Sequence, residues 1–188
     1  MKEKITGQSI HLFEKKGFSE TSIQDIVDSL GVTKGTFYYY FSSKEELLMD
    51  IHLGYIEDLL AREEEILHDH SMTFKEKVFE IVYMLISDIK TRGSAAKIFF
   101  REMQNLSSDR RALIVPKRDQ FRINIEEMIK GGMEVGEFRP ELNATILAFG
   151  ILGITNWSYH WFNPEGKLSD REVAEIFVEM ILKGIQVN

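Results

Sequence analysis

Apolar residues recur at helical spacing along almost the whole chain. In one short segment Ile23, Ile26, Val27 and Leu30 follow the i, i+3, i+4, i+7 rule, which is the period of a helix with one buried face. No Asn-Gly or Asp-Gly turn separates alternating runs of the kind that strands show. Prolines are few, three in 188 residues, so long helices are permitted. The pattern predicts an all-α fold.

Small and hydroxylated residues mark the helix boundaries near the amino terminus. Gly31 is placed to end a second helix, because glycine readily leaves a helix through positive φ. We expect Thr21 to open that helix with Gln24 as its capping-box partner. Thr33 is positioned to cap a third, short helix over residues 34–40. Two short helices joined by a tight turn form a helix-turn-helix, whose second member enters the major groove of DNA.

Further boundaries follow along the chain. Ser43 with Glu46 marks the start of a long helix through residue 70, and Thr73 with Glu76 marks the start of the next. We expect Gly93 to end that helix. Later helices are predicted over 110–135 and 141–162, and one begins at a Ser169–Glu172 capping box. The Gly131-Gly132 pair should weaken the last turns of the first of these.

The residues around the third helix suit contact with DNA. Hydroxyl and ammonium groups donate to phosphates, threonine also offers a methyl group to thymine, and glycine permits close backbone approach. The candidate DNA contacts are Thr21, Ser22, Thr33, Lys34, Gly35, Thr36, Tyr38, Tyr39, Tyr40 and Lys44. The alternative is that the three tyrosines pack half-buried and that Lys44 is a solvated surface charge.

The net charge limits how such contact can arise. The chain carries −7, and its first 50 residues hold six lysines against eight acidic residues. Duplex DNA repels an acidic body, so binding would depend on a local arrangement of donors. A non-specific DNA-coating protein is therefore disfavoured. The chain contains no cysteine, which excludes disulfides and thiol catalysis. Without a signal-peptide pattern or a membrane-length apolar run, we expect a cytoplasmic protein.

Five segments together resemble the signature of TetR-type (TetR/AcrR) transcriptional repressors. They are Gly17-Phe18, Thr21-Ser22-Ile23, Ile26-Val27, the run Gly-Val-Thr-Lys-Gly-Thr-Phe-Tyr-Tyr-Tyr-Phe at 31–41, and Lys-Glu-Glu-Leu-Leu at 44–48. The likeness runs from about Ile5 to Leu48 without a gap. It implies an all-α homodimer that binds a palindromic operator and is released by a small molecule. It also implies that Tyr39 reads bases, whereas Tyr38, Tyr40 and Lys44 hold phosphates.

We therefore divide the chain into a DNA-binding domain, 1–47, which is a three-helix unit with a helix-turn-helix, and a larger helical ligand-binding and dimerisation domain, 48–188. The helix predicted over 141–162 is apolar on nearly all sides, and the last helix carries a wide apolar stripe. A four-helix interface between two subunits would bury both; a core within one chain is the alternative. The expected interface residues are Ile154, Trp161, Val173, Ile176, Phe177, Met180, Ile181 and Gly184.

A ligand pocket is expected between the helices of the second domain. Its candidate residues are apolar: Phe99, Phe100, Met103, Phe121, Ile125, Met128, Phe149 and Trp157. The stretch 156–166 is similar to the carboxyl-terminal pattern of TetR-type regulators of fatty-acid or sterol catabolism, which implies an acyl-CoA thioester inducer. The CoA phosphates would then meet the cations Arg92, Arg101, Arg118 and Arg122. A drug ligand, as in efflux regulators of the same fold, stays open.

Other chemistry has little support. His68-Asp69-His70 could bind a metal but lies near a predicted helix end, where adjacent polar residues are usually solvated. The run Glu63-Glu64-Glu65 is interpreted as an exposed face. No phosphate-binding glycine loop or nucleophilic serine elbow occurs. We expect neither a metal nor a cofactor nor enzymatic activity. A helical-bundle carrier or enzyme is the remaining alternative.

Overall fold

The structure is a computed structural model that describes residues 1–185. The all-α prediction is confirmed, and no strand occurs within those residues. The helices are α1 (Lys2–Lys16), α2 (Ile23–Leu30), α3 (Lys34–Tyr40), α4 (Lys44–His68), α5 (Phe74–Arg101), a 3₁₀ turn (Met103–Asn105), α6 (Ser108–Glu134), α7 (Ala144–Trp161) and α8 (Asp170–Ile185). The last residues of the predicted second domain, 186–188, lie outside the described range. None of the described helices combines the length and apolarity that crossing a membrane requires.

The chain forms two compact units. The first unit comprises residues 1–57 and 93–116, and the second comprises 58–92 and 117–188. The first unit is larger than the domain predicted over 1–47, because the end of α5 packs against α4. The Phe99 ring lies 5.4 Å from the ring of His52 and 5.0 Å from that of Tyr55. The Arg101 guanidinium also donates to the carbonyl oxygen of Phe13 at 2.7 Å.

The start of α2 differs by one residue from the prediction. Ser22, not Thr21, is the N-cap, and its capping-box partner is Asp25, not Gln24. The Ser22 hydroxyl accepts from the Asp25 amide at 3.1 Å, and the Asp25 carboxylate accepts from the Ser22 amide at 2.7 Å. Thr21 is not available for this role because its hydroxyl donates to the Gly17 carbonyl oxygen at 2.7 Å.

The turn between α2 and α3 follows the prediction. Gly31 has φ +63°, in the left-handed region where glycine is favoured. The Val32 amide then donates back to the Val27 carbonyl at 3.0 Å, which closes the end of α2. Thr33 caps α3 by accepting from the Thr36 amide at 3.3 Å. The two helices are thereby joined by only three residues.

Gly93 does not end α5, so that prediction is wrong. The helix continues for eight further residues, to Arg101. Positive φ occurs at Gly17, Gly31 and Gly136, and without it a glycine has no reason to stop a helix. Glycine inside a helix costs only about 1 kcal/mol relative to alanine, and the buried packing around Gly93 offsets that cost.

The Gly131-Gly132 pair serves close packing at the end of α6. A Cβ atom on Gly132 would lie 2.3 Å from the Phe138 ring, and one on Gly131 would lie 2.7 Å from the Phe74 ring. Both distances are far below van der Waals contact. The helix stays intact through Glu134, and Gly136, with φ +80°, follows it. The two glycines lower the helix propensity of these turns, but they allow the rings of Phe138 and Phe74 to pack closely against the helix.

Candidate nucleic-acid interface and ligand site

Helix α3 is anchored in the first unit by one buried side chain, and its tyrosines lie towards the surface. Phe37 is completely buried in the first unit, and its ring packs against Phe41 at 5.8 Å. On the opposite face Tyr38 is 53 % exposed and Tyr39 is 80 % exposed. Tyr40 is half-buried against Tyr39, with ring centroids 4.8 Å apart. The helix therefore presents phenol hydroxyls to its surroundings from a rigid base.

The first turn of α3 adds small polar groups to this surface. Thr33, Lys34 and Gly35 are exposed, and Thr36 is half-exposed. At Gly35 an added Cβ would meet only the Thr33 hydroxyl, at 3.5 Å, which is ordinary contact. Nothing within residues 1–185 therefore requires glycine at position 35. A requirement for glycine there would come from a partner that approaches the backbone closely.

Thr21 cannot act as predicted in this conformation. Its side chain is fully buried, and its hydroxyl is already engaged with the Gly17 carbonyl. Ser22 is exposed, but its hydroxyl donates to the Asp25 carboxylate at 2.7 Å, and the same carboxylate accepts from the Ser22 amide. A phosphate at this point would have to displace a negative charge. We therefore withdraw Thr21 from the predicted DNA contacts. For Ser22, exposure is the one observed feature that favours contact with a phosphate.

Lys44 is directed towards the chain itself. Its ammonium donates to the carbonyl oxygens of Phe18 at 2.7 Å and Thr21 at 2.6 Å, and it lies 4.3 Å from the centroid of the Phe18 ring. Partial burial lowers the pKa of this ammonium below its usual value. A lysine is unfavourable in the first turn of a helix because of the helix dipole. Its hydrogen bonds to these two carbonyl oxygens account for its presence there. Contact with a phosphate stays a prediction that competes with this arrangement.

Most acidic side chains near the amino terminus pair with donors of the first unit. Four carboxyl groups accept hydrogen bonds from neighbouring donors, which hold their pKa values below the usual range: Glu14, Asp25, Glu45 and Glu46. Asp50 is paired with Lys2. Helix α3 itself contains no acidic residue and carries Lys34. The unfavourable net charge of the chain is therefore not concentrated on the exposed face of α3.

The predicted pocket residues do not form one group. Phe99, Phe100 and Met103 belong to the first unit, while the other five belong to the second. Of those five, Phe149 and Trp157 are 55 % and 66 % exposed, so their assignment to an enclosed pocket is wrong for this chain. The three that remain are buried in the second unit: Phe121, Ile125 and Met128.

The second unit contains a groove of about 580 Å³. Its apolar lining residues are Leu60, Leu67, Phe74 and Met128. Its polar lining residues are Glu64, His68, Lys77, Gln120, Asn124 and Glu127. The Lys77 ammonium donates to the Leu67 carbonyl oxygen at 2.6 Å and keeps its positive charge, so among the lining residues two glutamates stand against one lysine. Met128 is the candidate pocket residue that the groove includes.

Glu63 was missed by the sequence interpretation. The run 63–65 was expected to be an exposed face, yet Glu63 is completely buried. Its Oε2 atom accepts from the Asn124 amide at 2.8 Å, and burial raises the pKa of its carboxyl group to about 8. The signal was its spacing. Glu63 lies four residues after Leu59 and three before Ile66, on the apolar side of α4.

Three of the predicted CoA-binding cations pair with carboxylates of the chain. Arg92 pairs with Asp58, and Arg101 pairs with Glu102 at 2.8 Å. Arg122 bonds Glu126 at 2.8 Å, and its guanidinium lies 5.1 Å from the centroid of the Phe149 ring. These side chains would have to leave carboxylates before they could bind phosphates. No group of histidine and acidic residues suited to a metal occurs within 1–185.

An apolar face runs along α7 and α8. Its members are large side chains at least half exposed: Ile146, Phe149, Trp157, Trp161, Ile176 and Met180. Gly150, Gly153 and Gly184 are also exposed, and a Cβ added at any of the three would meet nothing within 4 Å. Of the predicted interface residues, Val173 is buried within the unit, whereas Phe177, Ile181 and Ile154 are half-buried. A contiguous exposed apolar face without charged tips is typical of a protein interface.

Comparison with known proteins identifies both parts of the chain. Residues 5–51 match the bacterial regulatory proteins of the tetR family, and residues 71–185 match the tetracyclin repressor-like C-terminal domain. The HTH-type transcriptional repressor KstR2 of Mycobacterium tuberculosis (strain H37Rv) is 28 % identical over 176 residues, which cover 93 % of this chain and 87 % of that protein.

Solved structures agree with this result. The structure of the ketosteroid transcriptional regulator KstR2 of Mycobacterium tuberculosis has a TM-score of 0.90 at 26 % identity, covering 100 % of this chain and 95 % of that one. The structure of AibR in complex with isovaleryl coenzyme A and operator DNA has a TM-score of 0.84 at 26 % identity, covering 95 % and 96 %. The chain belongs to the TetR family and is a TetR-family transcriptional repressor with a helix-turn-helix DNA-binding domain.

Proposed function

We propose that this repressor binds a palindromic operator in the cytoplasm as a homodimer and is released by a small apolar or amphipathic ligand bound in the second unit. The observation that carries the proposal is the exposed face of α3. Tyr39 is 80 % exposed on a short helix that is anchored by Phe37, carries Lys34 in its first turn and contains no carboxylate. Tyr39 is our candidate for base reading, and Tyr38 and Tyr40 are candidates for phosphate contact.

The remaining contacts extend the same surface. Thr33, Lys34 and Thr36 would donate to phosphates, and Gly35 would let the backbone approach the duplex. Ser22 would contribute only if its hydroxyl left the Asp25 carboxylate. Lys44 would contribute only if its ammonium left the carbonyls of Phe18 and Thr21.

The dimer is proposed from the apolar face of α7 and α8. In a two-fold assembly the same face of two copies would form a four-helix interface and remove the exposed tryptophans from water. The symmetry would also place two α3 helices one turn of DNA apart, about 34–36 Å. An operator with two inverted half-sites follows from that geometry.

The ligand is proposed on separate grounds. AibR, which has the same fold, has been solved with isovaleryl coenzyme A and operator DNA, and this supports an acyl-CoA thioester as the inducer. Arg118 and Arg122 are the cations of the second unit that we would test for phosphate contact. The second candidate is a drug or neutral metabolite, as in an efflux regulator, and the carboxylates of Glu64 and Glu127 in the groove favour it.

Selection from a random pool of DNA duplexes with the purified protein tests the function. Recovery of an inverted repeat would support a dimeric, sequence-specific repressor and would supply the operator. Absence of any enriched sequence, at low salt and without ligand, would contradict it. Addition of isovaleryl coenzyme A or another short acyl-CoA to the selected complex then tests the first ligand candidate, since an inducer must lower operator affinity.

A further inference from the structure

Glu63 has one carboxyl oxygen that the fold leaves without a partner. The side chain is completely buried in the second unit, and Asn124 donates to its Oε2 atom at 2.8 Å. The Oε1 atom is also buried, and no hydrogen-bond partner for it exists in the part of the chain that the structure describes. A buried polar atom left unpaired costs about 1–3 kcal/mol. The second unit therefore carries a polar group that only something outside the described chain would satisfy.

A hydrogen-bond chain connects this carboxyl group to the groove of the second unit. The Asn124 amide oxygen accepts from the Gln120 amide at 2.7 Å, while the Asn124 nitrogen donates to Glu63. Both amide residues line the groove. Asn124 thus links the buried carboxyl group to a space bordered by leucine, phenylalanine and methionine side chains on one part of its lining. Along the α6 side a ligand in this groove would meet Met128 and the neutral amides of Gln120 and Asn124, besides the charged groups of Glu64, Lys77 and Glu127.

The protonation state of Glu63 determines which partner suits it. Burial raises the pKa of its carboxyl group to about 8, so the group holds a proton at neutral pH. Because Oε2 accepts from Asn124, the proton is placed on Oε1. The free atom is then a neutral hydroxyl donor, which pairs with a carbonyl or hydroxyl oxygen. A carboxylate or phosphate on the ligand would instead meet Glu64 and Glu127 in the same groove.

We propose that Glu63, with Asn124, forms a binding site for a neutral oxygen group, a ketone or an alcohol, on an otherwise apolar ligand. The oxygen of the ligand enters beside Asn124 and accepts the hydrogen bond of Glu63 Oε1, while its hydrocarbon part lies in the groove. The site rests on the proposed ligand-binding role of the second unit and specifies the chemistry that the ligand must carry there.

The test uses 2-nonanone and 2-nonanol as probes on the full-length protein without DNA, with binding followed by tryptophan fluorescence or by ligand-detected NMR. Glu63→Leu should bind both probes about tenfold more weakly than the wild type, the loss expected for one hydrogen bond in a dry site. Glu63→Gln, whose amide can still accept from Asn124 and donate to the probe, should bind within threefold of the wild type. Glu65→Gln is the matched control on the same helix and should change nothing, because Glu65 is exposed and does not line the groove.

The dependence on pH separates a ligand-binding role from a packing role. Between pH 7 and pH 9.5 the wild type should lose about tenfold in affinity for the ketone, because a deprotonated Glu63 cannot donate. The alcohol, which can itself donate, should keep its affinity. Glu64, His68, Lys77 and Glu127 line the same groove, and Glu63→Gln retains all four, so its ketone affinity should not vary with pH.

Two results would overturn the proposal. One is unchanged ketone binding by Glu63→Leu. The other is the absence of binding of either probe to the wild type at millimolar concentration. Neither result would affect the operator selection described above, which is carried out on DNA without a ligand, so failure here is distinguishable from failure of the proposed function.

Discussion

Polar side chains pair over both short and long sequence distances in the two units, but the pairs that mark helix starts differ from those that join helices. Around α2 and α4 of the first unit the carboxylates bind donors a few residues away: Asp25 binds Ser22, and Glu46 binds the amide of Ser42 at 2.6 Å. In the second unit Arg62 on α4 binds the buried Asp88 on α5 through both carboxylate oxygens. The helix starts could therefore be predicted from neighbouring residues, whereas the partner of Asp88 depends on how two helices pack.

Exposed aromatic groups differ in the same way. The tyrosines of α3 carry hydroxyl groups that can meet a polar, charged partner such as a phosphate. The exposed face of α7 and α8 presents tryptophan, phenylalanine, isoleucine and methionine without a charged tip. The first unit is thus suited to DNA, and the second unit is suited to a second copy of itself. Glu63 adds one unsatisfied polar atom inside that second unit.

The largest expected effect is a pH dependence of stability that originates in the second unit. The pKa of Glu63 is raised in the folded state to about 8, so the folded chain binds the proton more tightly than the unfolded chain. The stability of the folded state that depends on protonated Glu63 is fully present below the pKa of the unfolded chain. It is lost as the pH rises from about 4.5 to about 8. The loss is at most about 5 kcal/mol.

Urea denaturation of the wild type and Glu63→Gln across this pH range measures that contribution. The variant should lack the decline. A decline of equal size in both proteins would mean that another group is responsible. In the first unit, hydrogen bonds from Ser42 lower the pKa of Glu46 in the folded state. Glu46 therefore adds stability that is lost as the pH falls, and Glu46→Gln should remove that loss at acidic pH.

The apolar face should respond to a single charge. Met180→Asp would place an unpaired carboxylate in the proposed interface, and we expect the dimer dissociation constant to rise about a hundredfold. Leu113→Asp is the matched control, because Leu113 is equally exposed but lies in the first unit. Sedimentation velocity over a concentration series distinguishes the two. A Met180→Asp protein that dimerises like the control would refute the interface.

Lys44, at the start of α4, pairs with carbonyl groups that are distant in sequence. Lys44→Met would remove the ammonium donor of the Thr21 carbonyl and one of the two donors of the Phe18 carbonyl, which keeps the Thr21 amide, and we expect the free energy of unfolding to fall by about 1–2 kcal/mol. Lys34→Met, on the exposed face of α3, should change it by less than about 0.5 kcal/mol. If Lys44 instead holds a phosphate, its replacement would lower the salt slope of DNA binding by about one without loss of stability.

The smallest effects compare two glycines in helices. Gly132→Ala would force a Cβ to within 2.3 Å of the buried Phe138 ring, and we expect a loss of about 1–2 kcal/mol. Gly54→Ala, where a Cβ would meet nothing within 4 Å, should stabilise the chain by about 0.5–1 kcal/mol through helix propensity. Thermal unfolding of the two variants checks the contrast. Equal shifts in the same direction would contradict the packing argument.

The sequence predicted the bounds of α2 and α3 to within one residue. Gly31 and Thr33 needed only positive φ and a hydroxyl, which are properties of single residues. It failed where three-dimensional packing decides. Gly93 remains within a helix because buried contacts outweigh its propensity, and Glu63 faces inward while its neighbours do not. Phe149 and Trp157 were assigned to a pocket because a helix apolar all round does not show which face meets its own chain.

The most direct test of the central claim is the affinity of Tyr39→Ala and Lys34→Ala for the selected operator and for random DNA, measured over a series of salt concentrations. Tyr39→Ala should weaken operator binding about 5- to 100-fold and leave random-sequence binding nearly unchanged. Lys34→Ala should weaken both alike and reduce the salt slope by about one. An equal loss on operator and random DNA for Tyr39→Ala would contradict the assignment of α3 as the helix that reads the sequence.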